Sequence, residues 1–139
     1  MNGHIDLSKA GDLVSVHVGA VEVLRAWFTD DTVPQDECRT PYLHPLRTLS
    51  GRVVTGHRPH DHRWHKGLTM AVPKLAGTNF WGGPSYVTGR GYVDLGDVGR
   101  IETTAFETHD DGSVTAQLTW IGADNVPMLA ERRARSAAR

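Results

Sequence analysis

The chain has 139 residues, 39% of them hydrophobic, with 15 Lys+Arg against 16 Asp+Glu for a formal net charge of −1, and it carries 8 histidines. That balance excludes a generally basic, phosphate-seeking protein and a long disordered chain, and a single cysteine excludes a disulfide framework or a Cys-based zinc knuckle. No run of about 18 apolar residues is present to span a bilayer, and the opening residues lack the basic-then-apolar pattern of a secretory signal. The expectation is one cytoplasmic domain with neither a nucleic-acid nor a membrane partner.

In chain order, residues 13–18 alternate, with Val14, Val16 and Val18 on one face and Ser15 and His17 on the other, which predicts a strand. Gly19-Ala20 turns the chain, and residues 21–28 form a second β-rich run with Val21, Val23, Arg25 and Trp27 sharing a face, so a hairpin is the economical reading. Residues 29–41 are polar with two prolines and read as a loop, Cys38 being a small residue within it. Residues 52–55 read as a short strand. Between 58 and 83 the periodicity is lost among prolines and glycines, predicting a long loop, and loops of that length often carry function. Strands return at 85–93, 101–109 and 113–121, the last two joined by Asp110-Asp111-Gly112. In the last of these Val114, Ala116, Leu118 and Trp120 alternate with Thr115, Gln117 and Thr119, the mark of a sheet with one buried face. Residues 126–131 begin another strand, and residues 134–139 form a polar Arg/Ala tail with no apolar face, expected to be solvated.

The chemistry-bearing residues concentrate between 41 and 86. His60 and His62 lie two apart, so an extended backbone points them to one side, about 6–7 Å apart. His65 lies three beyond His62, so a single helical turn pairs those two instead. Asp61, or Asp30 or Asp31, would orient an imidazole by accepting from its second nitrogen. Neutral imidazoles bind metals, but neither a His-x-His-plus-Glu set nor a His-Glu-x-x-His motif is present, and Arg58, Arg63 and Lys66 stand among the histidines. Those cations suit a carboxylate or phosphate. Near them, Trp64, Asn79, Trp81 and Tyr86 combine aromatic faces with polar groups, a set that suits a sugar ring. His4, His17 and His109 read as ordinary surface or strand residues, and His57 is unassigned.

Three ordered blocks carry a family resemblance: Pro41-Tyr42-Leu43-His44-Pro45-Leu46-Arg47-Thr48, then Arg58-Pro59-His60-Asp61-His62-Arg63-Trp64-His65-Lys66-Gly67-Leu68, then Asn79-Phe80-Trp81-Gly82-Gly83. They resemble the bacterial "methane oxygenase PmoA"-like proteins, and the likeness runs from about residue 13 to about residue 133. The resemblance implies a β-rich protein about twice this length and a setting in sugar catabolism. It also implies that His44, His60, Asp61, His62, His65, Asn79 and Trp81 belong to a shared pattern. It further implies that more strands follow residue 133, so the chain is expected to be an N-terminal half.

The expected fold is all-β, an antiparallel sandwich or an incomplete half of a larger one, with residues 1–133 as the domain, residues 134–139 as the tail and a His-rich loop over one face. The expected function is recognition or modification of a carbohydrate or related polar metabolite. His60, His62, His65 and Asp61 are the candidate acid/base groups. His44, Arg58, Arg63, Trp64, Asn79 and Trp81 are the candidate substrate-binding groups, the arginines holding a carboxylate and Trp81 stacking on the ring. The rival readings are a metal-dependent oxygenase or hydrolase using three of the histidines, and a non-catalytic truncated module. The residues specify neither a cofactor nor a metal. An open sheet edge predicts self-association.

Overall fold

A computed structural model describes residues 5–136 of the protein; His4 and the last three residues of the tail lie outside them. The described residues are all-β and antiparallel. Strands β1 (Ile5–Ala10), β2 (Leu13–Val18), β3 (Val21–Trp27), β4 (Tyr42–Leu46) and β5 (Leu68–Thr69) form a five-stranded sheet in that order. Hairpins β6 (Val72–Leu75) with β7 (Thr78–Phe80) and β8 (Ser85–Val87) with β9 (Gly91–Val93) follow. Strands β10 (Arg100–Thr108), β11 (Val114–Ile121) and β12 (Pro127–Arg135) make a three-stranded sheet.

The two larger sheets share one core, a sandwich-like arrangement. Val14, Ala26 and Phe28 from the first meet Ile101, Val114, Ala116, Leu118 and Trp120 from the second, with Cys38, Phe80 and Val98 between them. The alternation read in β11 holds: Val114, Ala116, Leu118 and Trp120 are buried. In β3 the core takes the face opposite to Val21, Val23, Arg25 and Trp27. Val14 pairs with Ala26 and Val16 with Leu24; Ala26 is buried, as is Phe28 directly after the strand. Phe28 stacks on Phe106 of β10 at 4.1 Å between centroids, and Phe80 meets Trp120 edge-on at 4.9 Å.

Several expectations are corrected. Residues 52–55 form no strand; Val53 makes only an isolated bridge to Arg47, because the preceding turn closes through Gly51 N–H donating to Thr48 carbonyl. The predicted loop of 58–83 ends at Gly67, and β5, β6 and β7 occupy its second half as strands of two to four residues, too short for periodicity to register. Residues 85–93 are a hairpin of two strands rather than one. The tail is shortened from its start: β12 runs through Ala134 and Arg135, paired to Thr115 and Val114, so backbone pairing extends the strand where side-chain pattern gave no sign. No helix among the described residues is long and apolar enough to cross a membrane.

The core gives a direct test. Phe80 is fully buried whereas Tyr92 is 74% exposed. Phe80→Ala is expected to lower unfolding stability by about 3–5 kcal/mol in urea titrations, with Tyr92→Ala within about 0.5 kcal/mol of the parent.

Candidate functional site

Two loops are locked together by buried charge. One is the segment 29–41, which holds a single 3-10 turn at Gln35–Glu37; the other is the His-rich segment 57–67. Lys66 is 0% exposed, and its Nζ donates to the carbonyls of Glu37 at 2.8 Å, Cys38 at 3.0 Å and Trp64 at 3.2 Å. Three N–H donors thus meet three acceptors, which makes a buried ammonium tolerable. Burial still pulls the Lys66 pKa below its usual value. Burial pushes the other way on Cys38, raising its thiol to about 11, so it is an inert core group.

Glu37 is buried as well. It accepts a fork from Arg58, Nε at 2.7 Å and an Nη at 2.9 Å, and a third bond from Arg63 Nε at 3.2 Å. Burial raises the Glu37 pKa, but the hydrogen bonds from Arg58 and Arg63 outweigh it, and the net displacement is downward. The network also holds backbone strain. Cys38 and Arg58 are non-glycine residues at φ +56° and +48°, a region that costs of order 1 kcal/mol per residue. Their loops stay in place because Lys66 grips the Cys38 carbonyl, and Arg58 N–H donates to the His65 carbonyl while its side chain grips Glu37.

Within the His-rich loop, two successive turns close through His62 N–H donating to Pro59 carbonyl and His65 N–H to His62 carbonyl. The turn reading of the His62–His65 spacing is therefore the one realised: their rings lie 5.2 Å apart. Trp64 lies 5.3 Å from His62, and Trp81 lies 5.9 Å from His65. Asp61 approaches His62 Nδ1 at 3.3 Å on the solvent side, both side chains being exposed.

Trp81 is positioned by Asn79. The Asn79 amide accepts from the backbone N–H of Trp81 and Gly82 and donates to the Gly83 carbonyl and to Ser85 Oγ. Ser85 Oγ donates in turn to the Asp97 carboxylate at 2.8 Å. Gly82 and Gly83 are required where they stand: both have positive φ, and a Cβ on either would sit 2.6 Å from Trp64.

These supports shape a cleft of about 520 Å³. His62, Trp64, His65 and Trp81 line one part of it, and Tyr86 and Tyr92 of the β8–β9 hairpin line another, with Pro73, Asn79, Pro84 and Ser85 between. Trp81 is 42% exposed, Tyr86 64% and Tyr92 74%. Tyr86 and Tyr92 pair across the hairpin, their rings edge-on at 5.4 Å. Among the described residues the indole N–H groups of Trp64 and Trp81 and the hydroxyls of Tyr86 and Tyr92 have no protein partner. Large aromatic faces with unspent polar tips thus surround one opening.

The structure separates the candidate residues into groups. His62, His65, Trp64 and Trp81 come together on the cleft. His60 is exposed outside it, because the Pro59–His62 turn points it away from its neighbours. Asn79 lies at the cleft, but both its donors and both its acceptor sites are used inside the turn, so it holds Trp81 rather than a ligand. Arg58 and Arg63 bind Glu37 and are not among the residues that line the cleft. His44 sits elsewhere, on β4. Its Nδ1 lies 2.8 Å from Thr55 Oγ1, and its ring stacks at 4.8 Å on His57. Burial, followed by His57, holds the His44 pKa below the usual value. Asp30 accepts from Tyr42 Oη at 2.6 Å and so orients a phenol rather than an imidazole. Among the described residues no three His, Cys, Asp or Glu side chains converge as a metal-binding set.

The sequence reading missed Tyr92 and His57. The signal for Tyr92 was present: Tyr86 and Tyr92 flank a turn containing Gly89, which brings them opposite one another once the run is read as a hairpin.

A model of a family of unknown function, DUF6807, matches residues 13–138, and the chain belongs to that family. No curated protein and no solved structure matches it.

The charge network predicts both a mutational and a pH effect. Lys66→Met leaves three carbonyls without their donor and is expected to cost about 1–3 kcal/mol in chemical unfolding. Because the Glu37 pKa is depressed in the folded state, its contribution is complete above the usual value of 4.5 and is lost as pH falls through the lower folded value. The stability gap between the parent and Glu37→Gln is expected to be constant near neutrality and to close in acid, read by thermal melts across pH.

Proposed function

We propose that this DUF6807 member binds a carbohydrate or closely related polyhydroxylated metabolite in the aromatic cleft. The observation that carries the reading is the exposure of Trp81, Tyr86 and Tyr92 around one opening, with polar tips that bond to nothing else among the described residues. A pyranose offers an apolar C–H face and a rim of hydroxyls; aromatic faces take the first and indole, phenol and imidazole groups read the second. The exposure matters because an aromatic ring serving only the core would be covered, as Phe80 and Trp120 are.

His62 and His65 stand on the same wall and are the groups available for proton transfer to or from a bound hydroxyl. Two of the three blocks that resemble the PmoA-like proteins contribute directly: the second supplies His62, Trp64, His65 and the Lys66 anchor, and the third supplies Trp81 and the Asn79 brace that sets it.

The reading is tested by titrating the protein with a panel of mono- and oligosaccharides, followed by calorimetry and by tryptophan fluorescence. Binding of at least one saccharide is expected. Trp81→Ala is expected to weaken that binding about tenfold or more, equivalent to about 1.4 kcal/mol, without lowering the melting temperature. Absence of binding across the panel, or an unchanged affinity in Trp81→Ala, would overturn it.

A further inference from the structure

Resting on the carbohydrate reading, we propose that the ligand is an uncharged saccharide, and that the cleft rejects sugar acids and sugar phosphates by the chemistry of its wall. Among the described residues no Asp, Glu, Lys or Arg lines the opening. An ionised group placed there would give up hydration without a permanent counter-charge, a loss that aromatic faces and prolines do not replace.

The cations that the sequence placed nearby are committed elsewhere. Arg58 forks onto Glu37, Arg63 bonds the same carboxylate, and Lys66 is fully buried against three carbonyls. Of the formal charges that touch the lining residues, the Lys66 ammonium under the Trp64 carbonyl is spent on backbone carbonyls, and those of Asp61 and Asp97 are negative. Asp61 stands 3.3 Å from His62 on its solvent side, and Asp97 2.8 Å from Ser85 Oγ. Both add repulsion against a carboxylate or phosphate at the positions where a ring substituent would meet the wall.

A cationic ligand meets a related obstacle. Aromatic faces attract ammonium groups. No carboxylate lines the opening among the described residues, however, so an ammonium there would lose hydration without a direct counter-charge. The unspent indole and phenol tips, by contrast, match neutral hydroxyls. Selectivity for a neutral ring follows from what the wall lacks.

The experiment is calorimetry on the full chain with stereochemically matched sets. Each set holds a neutral saccharide, its uronate and its 2-amino counterpart, with glycine betaine as a cation that carries no sugar. The neutral member is expected to bind, with the uronate and the amino sugar weaker by about tenfold or more at neutral pH. Charged counterparts that bind as tightly as the neutral sugar would overturn this inference and leave the carbohydrate reading standing. Binding by glycine betaine alone, or by none of the compounds, would overturn both.

Discussion

The structure depends on placing two opposite charges in its interior and satisfying each completely. Lys66 and Glu37 are both buried, yet they do not simply neutralise one another. The Lys66 ammonium is solvated by three backbone carbonyls, one of them Glu37's own, while the Glu37 carboxylate is taken by Arg58 and Arg63. The result is a cross-link between two irregular segments that have little other reason to meet. From it the site follows in sequence. Lys66 holds the Trp64 carbonyl, the Trp64 side chain packs against Gly82 and Gly83, and Asn79 fixes the backbone that presents Trp81. Removing one partner of such a network leaves buried groups unpaired, so its parts are expected to act as a unit.

This organisation separates support from contact. The residues with the strongest interactions, Lys66, Glu37, Arg58 and Asn79, have spent their polar atoms on the protein itself. The residues left with unused groups, Trp64, Trp81, Tyr86 and Tyr92, stand around the opening. A binding surface held by locked neighbours loses little freedom when a ligand arrives, and that economy is available only where a rigid scaffold does the holding. Sandwich core and cleft also meet physically: Phe80, between Asn79 and Trp81, is a core residue packed on Trp120.

The sequence made the long strands legible and the short ones not. Leu13–Val18 and Val114–Ile121 alternate over six and eight residues, enough for one face to declare itself. Strand β4 carries Pro45 and His44 within five residues, and a proline there reads against a strand. In the site, aromatic and histidine residues within a few positions of each other were identified correctly as neighbours: His62, Trp64, His65 and Trp81 do line one cleft. The pairing of the arginines with Glu37 was not legible, for a definite reason. Their carboxylate partner lies 21 and 26 residues upstream in a segment that reads as a plain polar loop, and no local pattern links those positions. Lys66 reads in the sequence as one of three cations suited to an anionic ligand; lysines are almost never fully buried, and only three converging carbonyls make it so here.

The most direct test of this division of labour uses the four tryptophans, whose indole N–H signals are separately observable by NMR. Trp27 donates to the His44 carbonyl and Trp120 to Glu131, whereas Trp64 and Trp81 line the cleft with no acceptor among the described residues. On titration with a neutral saccharide the indole signals of Trp64 and Trp81 are expected to move together while those of Trp27 and Trp120 stay in place. Movement confined to Trp27 or Trp120, or no movement of any indole signal, would contradict the assignment of the cleft as the working surface of this protein.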